Sequence, residues 1–524
     1  MGLISMLKGV IKRMLSPETL ETALSIQPTI SNEMKNAIEM WRDMYMDKSY
    51  WLGQDENLKS LGLAAMIASE KARTATIEMQ IKVTGDSAKA KFIEGCMNKV
   101  QVNLRTNLEF GVALGSFIIK PYVIKKSDGS YDIEISYTKA TDFYPLSFSC
   151  DGNIVEAAFI DRIIRRNVVY TKLEHHKLQG GKLIITNRAF KSENSNANWS
   201  GSSYGELGSP TALSDVPEWS EVPGEVVIDH MDSMLFAYFK MPGPNTVDLN
   251  SPLGVSGFAK AVELIKDADM QYSNLMWEFE GGQLAIDVDR TALNPLYDKD
   301  GRQREVLPKL QNRLFRHSLD LGDDNLYNVF NPEFRDNSLI NGLNNILMHI
   351  EDVCEMSRGS LSEVTYVEAR TATEMRILKQ RSFAANKAIQ EALQRTLEDS
   401  AVIFDKLCDL YNIVEDGSYE IAYCWDDSII VDKDTEKQMD LIEVDKGLMS
   451  KVEYRVKWMG ETKQQAQQAL DAIQSEAEQT MMLQQKYTTK PSSELTDAEA
   501  SQQKLQSSNM SSQTTKNDGG PKNN

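Results

Sequence analysis

Apolar side chains recur at three- and four-residue intervals along some stretches of the chain and at two-residue intervals along others, and these two periods divide it. Met34, Ile38, Trp41 and Tyr45 share one helical face. Further helices are expected around 58–84 and 86–110. The opening residues, MGLISMLKGVIKRMLSPETL, predict an amphipathic surface helix with Leu3, Met6, Leu7, Val10 and Met14 on one side. Near residue 116 the period changes. SFIIKPYVIKK and YDIEISYT flank Ser127-Asp128-Gly129-Ser130, and an Asp-Gly turn between β-rich runs signals a hairpin. NIVEAAFIDRIIRR, VVYTKLEHHKL and KLIITNRAF predict more strands, the last two joined by Gly180-Gly181. A sheet-bearing region thus covers roughly 116–240, interrupted by the Ser/Asn/Gly-rich loop SENSNANWSGSSYGELGSP.

From Gly257 the helical period returns. Phe258, Val262, Ile265, Ala268, Tyr272, Leu275 and Phe279 form one stripe, ended by Gly281-Gly282. After an irregular stretch to about 335, Leu339, Leu343, Ile346, Ile350 and Val353 form a second, closing near Gly359, and the two stripes predict an antiparallel helix pair with the irregular segment at its far end. Between Ser360 and Asp416 there is no Gly or Pro, and Thr371-Ala372-Thr373-Glu374 has the capping-box pattern. A helix from there to Tyr411 would be about 60 Å long at ~1.5 Å per residue, and so long an element needs many neighbours or other subunits to bury it. Glu436 to Gly447 predicts another helix, and Ser450 to Glu453, SKVE, a capping box for the next. Beyond Tyr487 no aromatic residue occurs and polar residues dominate, the composition of a disordered tail. Together these elements predict an α+β, mainly helical chain.

Composition narrows the function classes. The longest apolar runs, such as Met234 to Phe239, fall far short of the roughly 20 residues that span a bilayer. A signal peptide is disfavoured by Lys8, Lys12 and Arg13 inside the apolar stretch, and a myristoylation motif by Met6 where Ser or Thr is needed. Five scattered cysteines without a C-x-x-C pair suit thiols kept reduced, as in cytoplasm. The net charge of −19 argues against a protein that grips nucleic acid by neutralising phosphates, though not against one that lets DNA pass.

CWDDSIIVDKDTE, Cys424 to Glu436, packs five carboxylates into thirteen residues and raises the question of a metal site. An EF-hand starting at Asp432 would need Gly at its sixth position and finds Lys437. A short strand, Ser428 to Val431, followed by Asp434 or Thr435 capping a helix is the simpler account. A metal-dependent nuclease using Asp426, Asp427, Asp432 and Asp434 stays as an alternative. Neither a phosphate-binding G-x-x-x-x-G-K-[ST] loop nor an H-E-x-x-H helix occurs, and His175-His176, adjacent on a strand, point to opposite faces. No enzyme and no cofactor are expected. One basic segment stands out in this acidic chain: Arg302, Arg304, Lys309, Arg313 and Arg316 against the lone Glu305. At the tip of a helical hairpin it would face an acidic partner or phosphate. By contrast Glu415 to Asp445 carries eleven carboxylates against Lys433 and Lys437.

The order of these elements, with LGSPTALSDVPEW, DADMQYSNLMWEFEGG, EARTATEM, and WDDSIIVD followed by GLMSKVEYRVKWMGET, resembles the portal proteins of tailed bacteriophages, in the branch found in phages and prophages of Gram-positive bacteria. The likeness runs over about residues 20–475. It implies a ring, usually of twelve copies, at one capsid vertex of the virion, assembled in the host cytoplasm. Double-stranded DNA would be packaged and ejected through it without sequence specificity. It implies as partners the terminase large subunit, a head-completion or adaptor protein, and the major capsid and scaffolding proteins. On this pattern, residues 1–255 would be N-terminal helices and a β-rich wing, 256–280 and 336–358 the stem helices, and 281–335 the clip. Residues 359–371 would be the tunnel loop, 372–411 a long wing helix, 412–450 the rest of the wing, 451–486 the crown and 487–524 a tail. The tunnel-loop residues Ser362, Glu363, Thr365, Tyr366 and Glu368 include no cation, and the five basic residues of the clip would bind a partner. A non-ring helical scaffold is the remaining alternative.

Overall fold

The computed structural model describes residues 18–24, 30–53, 57–77, 79–193, 206–282, 285–289, 294–297, 301, 303–306, 315–319, 327–330, 333–363, 372–425, 433–459, 466–473 and 475. The chain divides into two compact units, Met1–Asp427 and Ser428–Asn524.

The first unit opens with a two-residue strand β1 (Glu18–Thr19) and a short helix α1 (Leu20–Leu24). Helices α2 (Asn32–Tyr45) and α3 (Leu63–Thr76), strand β2 (Met79–Thr84) and helix α4 (Ala88–Leu114) follow. The hydroxyls of Ser31 and Ser87 accept from the amides of Met34 and Ala90, so α2 and α4 both begin at serine caps. Met34, Ile38 and Trp41, three residues of the predicted stripe on α2, are buried.

Nine strands follow among the described residues. They are β3 (Ser116–Lys125), β4 (Tyr131–Lys139), β5 (Phe143–Phe148), β6 (Ile154–Arg165), β7 (Val168–Gln179), β8 (Lys182–Glu193), β9 (Glu206–Thr211), β10 (Glu225–Asp229) and β11 (Ala237–Lys240). A curled antiparallel sheet runs β1-β9-β8-β7-β6-β5 with β10 also on β8, and a second sheet runs β11-β3-β4. The Asp128-Gly129 hairpin forms as predicted, and Gly180 and Gly181 take φ of 60° and 74° in the tight turn between β7 and β8.

Helix α5 (Val262–Gly281) and helix α6 (Asp336–Val353) run antiparallel: Arg335 at the start of α6 meets Glu278 near the end of α5, and Gln271 reaches Leu339. Between them lie strands β12 (Ala285–Asp289), β13 (Asn294–Tyr297), β14 (Gln303–Val306), β15 (Phe315–Leu319) and β16 (Tyr327–Phe330). These form a three-stranded sheet, β15-β12-β16, and a β13-β14 hairpin where the sequence suggests irregular structure. Strands of four or five residues leave too little alternation to read.

Helix α7 (Ala372–Tyr411) is 40 residues long, as its freedom from Gly and Pro predicts. From Ile389 onward it buries Ile389, Leu393, Leu397, Phe404 and Leu407 in the core of its own unit. Strand β17 (Glu420–Trp425) pairs with β2, across more than three hundred residues. At the end of α4, Gly115 has φ of 88°, and a Cβ there would stand 2.5 Å from the Gly254 carbonyl oxygen, so the 241–257 segment can close only over glycine. In the second unit, α8 (Lys433–Asp445) and α9 (Lys451–Met459) precede a helical stretch at 466–473. The capping box forms: the Ser450 amide donates to Glu453 and the Glu453 amide to the Ser450 hydroxyl, at 2.9 and 3.1 Å.

The expectation of a mainly helical class is corrected by this architecture. Helix accounts for about 48% and strand for about 25% of the chain, and the curled sheet is a principal layer. The difference has a physical source: β2, β12 to β16 and β17 are six residues or fewer, too short for alternation to mark them in the sequence. The predicted N-terminal helix, the strand at 428–431 and the tail beyond Tyr487 lie outside the described residues.

Candidate functional site

The helical hairpin is built on buried carboxylates. Asp269 of α5 is buried, its Oδ2 accepting from Trp51 Nε1 and its Oδ1 from the Leu61 amide, both at 2.9 Å. One turn on, the Ser273 hydroxyl accepts from the Lys59 amide at 2.8 Å and donates to the Asp269 carbonyl at 2.7 Å. The 51–61 segment is thereby tied to α5. Burial raises the Asp269 pKa, partly offset by the bonds from Leu61 and Trp51.

Glu351, near the end of α6, is fully buried. Its Oε1 accepts the amides of Gly359, Leu361 and Ser362 at 3.1, 2.7 and 2.8 Å, while its Oε2 accepts the Ser362 hydroxyl at 2.8 Å. These four donors, with the Arg358 guanidinium 3.9 Å from Oε2, compensate the buried carboxylate. About two turns before Glu351 on the same helix, Asn344 holds the end of this segment, accepting from the Glu363 amide at 2.7 Å and donating to the Glu363 carbonyl at 3.2 Å. Residues 359–363 are thus strapped along α6.

This placement decides what two predicted loop residues do. Ser362 is buried and its hydroxyl is committed to Glu351, whereas Glu363 is exposed and held through its backbone. Thr365, Tyr366 and Glu368 lie outside the described residues. Of the basic tip residues, Arg304 is in β14 and Arg316 in β15, which belong to separate small sheets, while Arg302, Lys309 and Arg313 lie outside the described residues. Asp434 is in the first turn of α8, and Asp426, Asp427 and Asp432 lie outside. Among the described residues no group of three His, Cys, Asp or Glu side chains could hold a metal ion.

A cleft of about 1270 Å³ opens over the curled sheet. The sequence gives no sign of it, because its lining comes from strands that meet only in the fold. Lys172, Glu174 and His176 alternate onto one face of β7, and Lys120 crosses from β3 to Glu174 at 2.9 Å. His176 Nε2 meets Glu174 Oε1 at 2.8 Å, and Lys172 lies 3.6 Å from Glu174. Burial would raise the Glu174 pKa, but Lys120, His176 and Lys172 outweigh it and hold the carboxyl well below its ordinary range. His175 points to the opposite face and pairs with Glu156 at 2.9 Å, as the adjacency of the two histidines predicts. Arg162 pairs with Asp142 at 2.8 Å. The charges are matched within the cleft, an arrangement of structural ion pairs rather than of a nucleophile with its base.

Gly201-Ser202-Ser203-Tyr204-Gly205 has the G-x-S-x-G spacing and lies outside the described residues, in the segment that joins β8 to its antiparallel neighbour β9.

Compared with models of known protein families the chain matches none, and it matches no curated protein. Among the described residues no helix is long and apolar enough to cross a membrane.

Proposed function

We propose that the protein is the portal subunit of a tailed bacteriophage. Copies of the chain close into a ring at one capsid vertex, and double-stranded DNA is packaged and later ejected through the channel. The tip of the hairpin docks the terminase motor and then the head-completion protein, while the outer face of the ring meets the major capsid and scaffolding proteins. The reading has the virion as its location and uses neither catalysis nor a cofactor.

The observation that carries it is the surface of the hairpin. On α6, Ile340 is 40% exposed, and Leu343, Ile346 and Leu347 are only half-buried against the core. On α5, Met270 and Trp277, two turns apart on one face, are 43% and 66% exposed. Scattered apolar residues on a surface need no explanation, but a hairpin that leaves Met270, Trp277, Phe279 and Ile340 uncovered together calls for a partner. A ring supplies one, because each hairpin packs against the next copy. The acidic charge of −19 fits a passage that does not bind phosphate.

The test is the mass of the full-length protein by multi-angle light scattering. A particle of roughly a dozen 59.0 kDa chains is expected. A monomer that persists at high concentration and in the presence of capsid and scaffolding proteins would contradict the reading.

A further inference from the structure

Helix α6 carries charged residues only at its ends. Asp336 opens it and Glu351 and Asp352 close it, and the fourteen residues between, Asn337 to Ile350, include no Asp, Glu, Lys or Arg. In a chain that is 25% charged, an exposed helical face would ordinarily carry several. Helix α5 does, with Glu263, Asp267 and Glu280 exposed.

The neutral residues of α6 are sorted by face. Leu343, Ile346 and Ile350 lie on one side, packed on the core. Asn337, Asn341, Asn345 and His349 recur every fourth residue on the other, and all four are exposed. Asn344, between the two faces, is occupied by the backbone of Glu363. The segment 359–363 is therefore strapped along the border of this amide face.

Resting on the ring reading above, we propose that the face formed by Asn337, Asn341, Asn345 and His349 is the surface of α6 that DNA slides past. The two exposed hairpin surfaces differ in chemistry. The α5 face with Met270 and Trp277 is apolar, which suits contact between copies, where the buried centre of an interface is depleted of charge and rich in aromatic residues and Met. The α6 face offers amides, which donate to a phosphate or to water with little preference. A lysine there would form a charge-assisted bond and release counterions, holding the duplex in place. A carboxylate would repel it. Uncharged amides, one per turn, let the duplex exchange contacts with water as it moves.

The test uses assembled full-length rings of the wild type, of the double variant Asn341→Lys/Asn345→Lys, and of Asn341→Gln/Asn345→Gln. Each is mixed with linear duplex DNA and with covalently closed circular DNA, which cannot thread a closed ring. The lysine variant should form rings of wild-type mass and retain linear DNA roughly tenfold better than circular, with retention falling steeply as salt rises. Wild-type and glutamine rings should retain neither. Equal retention of both DNA forms would place the face outside the channel and overturn the proposal. So would no gain in retention, or loss of the ring in the lysine variant while the glutamine variant assembles, since that places the face between copies. A wild-type protein that forms no ring at all is a different outcome, which removes the portal reading itself.

Discussion

The helices α2 and α6 have similar apolar content and opposite fates. Helix α2 buries Met34, Ala37, Ile38, Trp41 and Met44 within fourteen residues, whereas α6 buries Ile350 and the carboxylate Glu351 within eighteen. The first belongs to a body completed within one chain, where α3, α4, the sheets and the second half of α7 cover one another. The second belongs to a hairpin that one chain leaves only partly covered. Stability should therefore reside in the first region and assembly in the second, and substitutions can separate the two.

The largest loss of stability is expected in the completed body. Trp41→Ala should cost about 3–5 kcal/mol, as large-to-small changes at fully buried aromatic positions do, measured as a lowered denaturation midpoint. A loss below ~1 kcal/mol would mean that the site collapses around the missing ring.

Next comes the ion-pair cluster over the curled sheet. Glu174→Ala leaves Lys120 and Lys172 without their shared partner and should cost about 3 kcal/mol. The pH dependence has a definite sign. The folded pKa of Glu174 lies below its unfolded value, so its contribution is present above the ordinary glutamate pKa and is lost as pH falls through that value toward the depressed one. Thermal midpoints of the wild type should fall across that acid window, and Glu174→Gln should show a shallower fall. Identical acid profiles would show that the carboxylate is not what the window reports.

Smaller and more local is Glu351. Glu351→Ala removes the acceptor of four hydrogen bonds and should release the amides of Gly359, Leu361 and Ser362 to fast hydrogen exchange, with a global loss of about 2 kcal/mol. Glu351→Gln keeps one carbonyl acceptor and should retain part of the protection. If exchange at these amides is unchanged in the alanine variant, Asn344 alone holds the strap.

The smallest effect on stability should come from the hairpin. Met270→Lys/Trp277→Lys alters two exposed side chains and should move the denaturation midpoint of the single chain by no more than about 0.5 kcal/mol. Its assembly should fail. A variant that assembles like the wild type would show that the copies meet elsewhere.

What could be read in the sequence follows the same division between local and distant causes. Helix α7, the α5 stripe, the Asp128-Gly129 hairpin and the Ser450/Glu453 capping box were legible because each depends on residues within a few positions of one another. Strand β2 was not. Met79, Ile81 and Val83 alternate, but six residues beside a helix read as its continuation, and the strand exists because β17 pairs with it from the far end of the unit. The ion-pair cluster was not legible for the same reason, since Glu174 on β7 meets Lys120 only when β3 is brought to it by the fold. Nothing near Glu351 marks it as an anchor, because its four donors are supplied by a turn that forms only after α6 ends. The hairpin's exposed residues were invisible in another sense: Met270 and Trp277 lie off the predicted stripe of α5, and only the fold shows that one chain leaves them uncovered.

The most direct test of this account is electron microscopy of the full-length particle viewed end-on. The account predicts closed rings of identical subunits around a central hole that admits a DNA duplex, with the α5–α6 hairpins lining the passage. Solid particles without a hole, or single chains under conditions where capsid and scaffolding proteins assemble, would contradict it.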